Sequence, residues 1–201
     1  NGGVFSFGDA TFHGRANSQP PGKLIVGMTP TPTGLGYWLV SAGGQVFNFG
    51  DASPRGSLSS SATGGPVVAI AETPDGEGYW LVTAEGNVFP FGDAKTYPPT
   101  GASPEDHPTA GMAVTPDDRG YWLVTVNGDV RAFGDATYYG SLPGQGISSP
   151  VPIASLVPTP DGHGYWIVSS NGSVYEYGDA IFLGSLGAKR PPDPIGGAAG
   201  F

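Results

Sequence analysis

Five aspartates, Asp9, Asp51, Asp93, Asp135 and Asp179, recur along the 201-residue chain at spacings of 42, 42, 42 and 44 residues. No other titratable group returns in every unit, so any repeated chemistry here is carboxylate chemistry. Three roles are open to it: a ring of calcium ligands, a ring of acceptors for sugar hydroxyls, or acceptors for backbone N–H groups within their own turns. Calcium takes about six to eight oxygens, whereas the motif offers one carboxylate per repeat, which favours the turn role. His13, His107 and His163 fall at three different places of the repeat, with no spacing that would converge on zinc. The chain has no cysteine, which excludes thiol nucleophiles, thiolate metal sites and disulfides. Nucleophile-elbow and Walker-type loops are absent as well. The inner-strand runs carry Glu72 and hardly any other acid, so the carboxylate pair of a glycosidase has no counterpart. The expectation is a protein that is not an enzyme and holds no metal or cofactor.

The elements that position these aspartates are read from the unit itself. Residues 36–52 read Gly-Tyr-Trp-Leu-Val-Ser-Ala-Gly-Gly-Gln-Val-Phe-Asn-Phe-Gly-Asp-Ala, and the pattern returns at 78–94, 120–136 and 164–180. Its second half alone stands at residues 3–10. Self-similarity at this period marks a propeller or solenoid. Within the Gly-Tyr-Trp-Leu-Val run, alternation places Tyr37 and Leu39 on one face and Trp38 and Val40 on the other. Both faces are apolar, so the strand is expected to be sandwiched, with the tryptophans in the core between sheets rather than forming an aromatic platform for sugars. Asn127-Gly128 and its equivalents predict a two-residue hairpin turn with positive φ at both positions. Thr73-Pro74-Asp75-Gly76, Thr115-Pro116-Asp117-Asp118 and Thr159-Pro160-Asp161-Gly162 predict reverse turns. Glu85, Asp117, Asp118 and Asp129 read as solvated turn charges that do not repeat as a set.

The Gly- and Ala-rich runs at 24–28, 67–71, 110–114, 153–157 and 195–199 suit innermost strands, which crowd toward an axis. Residues 4–8 read as a further strand and 11–14 as a short fourth one, giving four short strands per repeat. The fold class expected is all-β: a single β-propeller domain over residues 1–201, with five blades. The repeats would run over 24–66, 67–108, 109–150 and 151–193, and a closing blade would join 1–23 with 194–201. Joining the ends skips about 11 residues of one period, those of the fifth turn and the fifth Tyr-Trp strand. One strand slot would then be empty or filled from another chain; a longer parent protein cut at both ends would produce the same sequence.

Candidate ligand contacts beyond the five aspartates come from positions that vary. The slot between the two aromatics of the third strand holds Ser6, Asn48, Pro90, Ala132 and Glu176, of which Asn48 and Glu176 could meet a ligand. Tyr139, in the segment after the fourth aspartate, is a third such candidate. Pro90 argues for an edge strand, where a lost N–H donor is tolerated. The connectors at 59–66, 101–108, 143–150 and 187–194 are expected to gather on one side and are the first place to look for function. The 35 Gly and 21 Pro fall at fixed places between apolar runs and read as turn chemistry. A net charge of −9, from 17 acidic and 8 basic residues, repels phosphate backbones and sets nucleic acid and anionic membrane aside. No apolar run reaches the length of a membrane span or a secretory leader.

Taken together, the Gly-Tyr-Trp-Leu-Val, Val-Phe-x-Phe-Gly-Asp-Ala and Gly-Ser-Leu segments resemble the repeats of secreted actinobacterial propeller-like proteins. Gly172 to Ala180 is also similar to blades of the regulator of chromosome condensation family. Tachylectin-type lectins are a third likeness, in blade number and repeat length only. The first resemblance implies secretion and an extracellular binding or scaffolding role, often beside hydrolase or cell-wall-acting domains. Two functional expectations follow. One is a binder of glycan or cell-wall polymer, with weak repeated sites strengthened by avidity. The other is a protein-binding or assembly module whose incomplete blade accepts a strand from a partner or an identical subunit. An accessory domain of a longer secreted hydrolase is a further alternative.

Overall fold

The structure, a computed structural model, describes residues 2–16, 24–58, 64–98, 107–186, 189 and 191–198. Among them, the chain forms four antiparallel sheets of three strands, each built from strands consecutive in sequence. The first contains β1 (Ile25–Pro30), β2 (Gly36–Ser41) and β3 (Val46–Gly50). The second contains β4 (Val67–Glu72), β5 (Gly78–Thr83) and β6 (Val88–Gly92). The third contains β7 (Thr109–Val114), β8 (Gly120–Thr125) and β9 (Val130–Gly134), and the fourth β10 (Ile153–Pro158), β11 (Gly164–Ser169) and β12 (Val174–Gly178). The chain divides into two compact units, Asn1–Thr96 with the first two sheets and Tyr97–Phe201 with the last two.

The middle strand of each sheet is the Gly-Tyr-Trp strand, and β2, β5 and β8 are buried along their whole length. In the first unit, Trp38 and Val40 pack with Val67, Ile70, Tyr79 and Leu81 of the second sheet, and the Trp38 and Tyr79 rings lie 5.8 Å apart. The second unit repeats this, with Trp122 against Tyr165 at 5.8 Å. The tryptophans are therefore core residues, as the two-sided apolar pattern requires. Trp166, by contrast, is only half-buried. Pro90 lies on β6, an outer strand, opposite Trp80, so its missing N–H leaves no ladder position empty.

Three expectations change. First, each sheet has three strands, not four. The segment after each aspartate runs beside the sheet and offers its carbonyls to side chains. The indole N–H of Trp38 donates to Ser53 O (2.9 Å), and the hydroxyl of Tyr79 donates to Gly56 O (2.6 Å). Gly56 has φ 138°, where a Cβ would sit 2.6 Å from the Phe91 ring, a backbone shape that cannot continue a ladder. Second, the hairpin turns place only their glycine at positive φ, as at Gly128 (85°), and not the residue before it. Gly128 N–H donates to Thr125 O and Thr125 N–H to Asp129 O, the pattern of a type I turn closed by a glycine bulge.

Third, residues 4–8 and 195–198 are not paired in any sheet among the described residues; Ala199 lies outside the described residues. Ile195 N–H still donates to Ser170 O (2.8 Å), as Ile153 N–H does to Val126 O (2.9 Å). Of the connectors, 143–150 is described and contains a 3-10 turn at Pro143–Gln145. Large parts of the others, residues 17–23, 59–63, 99–106, 187, 188 and 190, lie outside the described residues.

Candidate functional site

Each repeated aspartate follows a glycine in the left-handed region, such as Gly50 (φ 65°), which turns the chain at the end of the outer strand. That turn carries the carboxylate back over the start of the middle strand. A Cβ on Gly36 would lie 2.5 Å from Asp51 Oδ1, which is why the middle strand opens with glycine. The same close approach recurs between Gly78 and Asp93, Gly120 and Asp135, and Gly164 and Asp179. Every one of these aspartates is exposed, and each meets residues of its own repeat at one corner of its sheet.

The four corners differ in what faces the carboxylate. Asp51 accepts from Thr31 Oγ1 (2.8 Å) and Thr33 Oγ1 (2.5 Å), and these hydroxyls, Thr33 foremost, hold its carboxyl below the ordinary range. Asp93 accepts from Thr73 Oγ1 (3.3 Å), which also donates to Asp75 Oδ1 (2.8 Å). At the third corner Asp135 meets Asp117. Desolvation and then the Asp117 charge push Asp135 upward, while Asp117 is held down, against its own desolvation, by Thr115 and the Arg119 amide. At the fourth, Asp161 sits below the ordinary carboxylate range because the His163 amide, its ring and Thr159 Oγ1 all bond to it.

Asp161, His163 and Asp179 bring three ligand atoms within 4.8 Å of one another, all on exposed residues, and are the group among the described residues that could hold a metal ion. The His163 ring is already paired with Asp161 at 3.1 Å, so the set is a partial coordination sphere at best.

The other candidates are dispersed. Asp9 is exposed at its turn, where Ala10 N–H donates to Phe7 O (3.3 Å). Asn48 and Glu176 are exposed on the outer strands β3 and β12, opposite Trp38 and Trp166. Tyr139 is half-buried and committed to structure: its hydroxyl donates to Gly162 O (3.0 Å) and its ring meets Tyr165 edge-on. Sequence reasoning missed the second carboxylate of three corners. Asp75, Asp117 and Asp161 occupy one repeat position, so Asp117 belongs to a repeated set and faces a partner rather than solvent alone. The Thr-Pro-Asp spelling carried that signal.

A second feature lies in the first unit. The half-repeat at residues 2–16 packs Val4 and Ala16 against Tyr37 and Leu39, yet leaves Phe5 83% and Phe7 84% exposed. Their equivalents Phe47 and Phe49 are half-buried in a paired outer strand. In the second unit, Ile181, Phe182 and Leu183 are likewise exposed after β12.

No family model matches the chain, and no curated protein does. Among solved structures it is similar to the β-propeller domain of Cps50 (Swd1) from Myceliophteria thermophila, with a TM-score of 0.54 and 14% identity. The match covers 80% of this chain, which spans 55% of the length of that one. At this identity the likeness shows the fold alone: the chain is an all-β propeller and its sheets are blades. No helix among the described residues is long and apolar enough to cross a membrane.

Proposed function

We propose that this propeller is a non-enzymatic binding scaffold that takes a protein partner along residues 4–8 of its N-terminal half-repeat. The observation that carries the reading is the exposure of Phe5 and Phe7, at 83% and 84%, on a segment whose other side is anchored in the core. Adjacent exposed aromatics on one edge, next to unladdered backbone, are what strand addition uses: main-chain bonds supply affinity and alternate side chains supply selectivity.

The test is a photo-reactive phenylalanine analogue at position 7, irradiated in the native setting. Polypeptide adducts are expected, and they should disappear when Phe5 is changed to Asp in the same protein. Irradiation that yields no polypeptide adduct at position 7 overturns the reading.

A second reading, recognition of an extracellular glycan or cell-wall polymer, is favoured by the corners: Asp51, Asp93, Asp135 and Asp179 are exposed acceptors repeated once per blade. Weak sites of that kind act through number. Binding of one glycan at several equivalents per chain, lost stepwise as the aspartates are replaced by alanine, is the expected result. Silence across a broad glycan array eliminates it.

A further inference from the structure

The half-repeat is held in the shape of a complete one. Gly8 has φ 64°, against 65° at Gly50 and 67° at Gly92. Ala10 N–H donates to Phe7 O at 3.3 Å, as Ala52 N–H does to Phe49 O at 3.3 Å. Ala16 N–H closes on Gly2 O (3.1 Å) where Leu58 N–H closes on Gly44 O (2.9 Å). The Tyr37 hydroxyl donates to Gly14 O (2.5 Å), as Tyr79 does to Gly56 O (2.6 Å). What the complete repeats have in addition is a middle strand, and all four present it identically. In the first blade Gly36 faces Gly50, Tyr37 faces Phe49, Trp38 faces Asn48, Leu39 faces Phe47 and Val40 faces Val46. The other three blades keep the same register.

We infer that the strand accepted by residues 4–8 is of the repeat's own class, Gly-Tyr-Trp-Leu-Val-Ser, docked antiparallel with its Tyr opposite Phe7, its Trp opposite Ser6 and its Leu opposite Phe5. This rests on the protein-binding reading above and names its partner. The edge is continuous with an established interface, because Val4 and Ala16 already belong to the core around Tyr37 and Leu39. Three features select this strand chemistry. The residue opposite Gly8 is glycine, since a Cβ at the equivalent Gly36 would come within 2.5 Å of both Asp51 Oδ1 and Phe49 O. The Trp indole N–H meets a carbonyl fifteen positions after it in each blade, Ser53 O, Lys95 O, Thr137 O or Ile181 O. Thr11 O holds that place in the half-repeat. The ring opposite Phe7 is Tyr, as in the Tyr37–Phe49 pair with centroids 5.5 Å apart. Each such strand among the described residues is already built into its own blade, and the occupant inferred here is a copy of the pattern carried by the protein partner.

The probe is a synthetic peptide with the sequence of residues 36–42 and a solubilising lysine tail, titrated into the chain while amide hydrogen exchange is followed at residues 4–8. Exchange there is expected to slow on the order of tenfold or more at saturation, with one peptide bound per chain. A peptide with Tyr and Leu interchanged with Trp and Val, which slips the faces by one residue, should give no protection. Nor should the Phe5→Asp, Phe7→Asp double variant, whose unfolding curve should match that of the original chain because both positions are exposed. No slowing at saturating peptide, or equal slowing by the slipped peptide, overturns the inference. If the cross-linker at position 7 captures a protein without this pattern, the inference falls while the protein-binding reading stands. If it captures no protein, the reading itself falls.

Discussion

Residues 4–10, Val-Phe-Ser-Phe-Gly-Asp-Ala, and residues 46–52, Val-Phe-Asn-Phe-Gly-Asp-Ala, differ at one position, yet the second is the outer strand of a sheet and the first is no strand at all. Both end in the same left-handed glycine and the same turn bond. The contrast separates two things that the motif does. Gly-Asp-Ala shapes its own turn from local chemistry, whereas Val-Phe-x-Phe acquires its structure only when a Gly-Tyr-Trp strand lies beside it. Without that strand beside it, the same spelling leaves Phe5 and Phe7 exposed.

The largest expected effect tests that contrast directly. Phe49→Ala removes a half-buried ring that packs on Tyr37 and against Gly14, and should cost about 2 kcal/mol, below the range for a fully buried phenylalanine. Phe7→Ala, at the equivalent position, should change stability by no more than about 0.5 kcal/mol. Urea unfolding monitored by tryptophan fluorescence reads both. Equal losses would mean that residues 4–8 are covered in solution, and the contrast would be gone.

How much of this was legible beforehand follows the same division. The middle strands, their two-sided burial and the edge position of Pro90 could be read from alternation and from the proline. The missing fourth strand could not, because its residues are extended and plausible in a ladder; what excludes it is the Gly56 backbone and carbonyls already engaged by Trp38 and Tyr79. The aspartates were legible as a set, and a turn role was the reading given for them. Their partners were not, since Thr31 lies 20 residues from Asp51 and meets it only once β1 and β2 pair.

The outer aromatic also differs among complete blades: Phe49, Phe91 and Phe133, but Tyr177 in the fourth. The Tyr177 hydroxyl is buried with no hydrogen-bond partner among the described residues, and burial, followed by the neighbouring Tyr138, pushes its pKa up to about 12. Tyr177→Phe converts this blade to the spelling of the other three and should raise stability by about 1 kcal/mol, the desolvation cost of an unsatisfied hydroxyl. A loss of that size in the urea midpoint would instead mean that the hydroxyl has a partner. A smaller gain is expected in the reverse turns. Gly34, Gly76 and Gly162 sit at φ 70–72°, and Asp118 takes the same place at 60°, the non-glycine residue among those described with positive φ. Asp118→Gly should stabilise the second unit by about 0.5–1 kcal/mol, and the carbonyl that receives the Tyr97 hydroxyl is unchanged. Destabilisation on this substitution would show that the Asp118 side chain contributes more than its backbone costs.

The smallest effect lies at the corners, where one motif aspartate titrates in opposite directions according to its neighbour. Asp51 faces Thr33 and is drawn below the ordinary carboxylate range; Asp135 faces Asp117 and is pushed above it, by desolvation and then by that charge. Position 33 in the first blade is position 117 in the third, so Asp117→Thr rebuilds the first corner within the third. A hydroxyl donor would replace a like charge, removing the repulsion and adding a bond to the ionised form. In the original chain, the Asp135 carboxyl carbon should titrate by NMR above the usual range; in the variant it should move down toward Asp51. Both groups are exposed, so the change should appear in the titration and hardly at all in unfolding. If Asp135 stays high in the variant, desolvation alone sets its affinity for the proton, and the Asp117 charge plays no part in it.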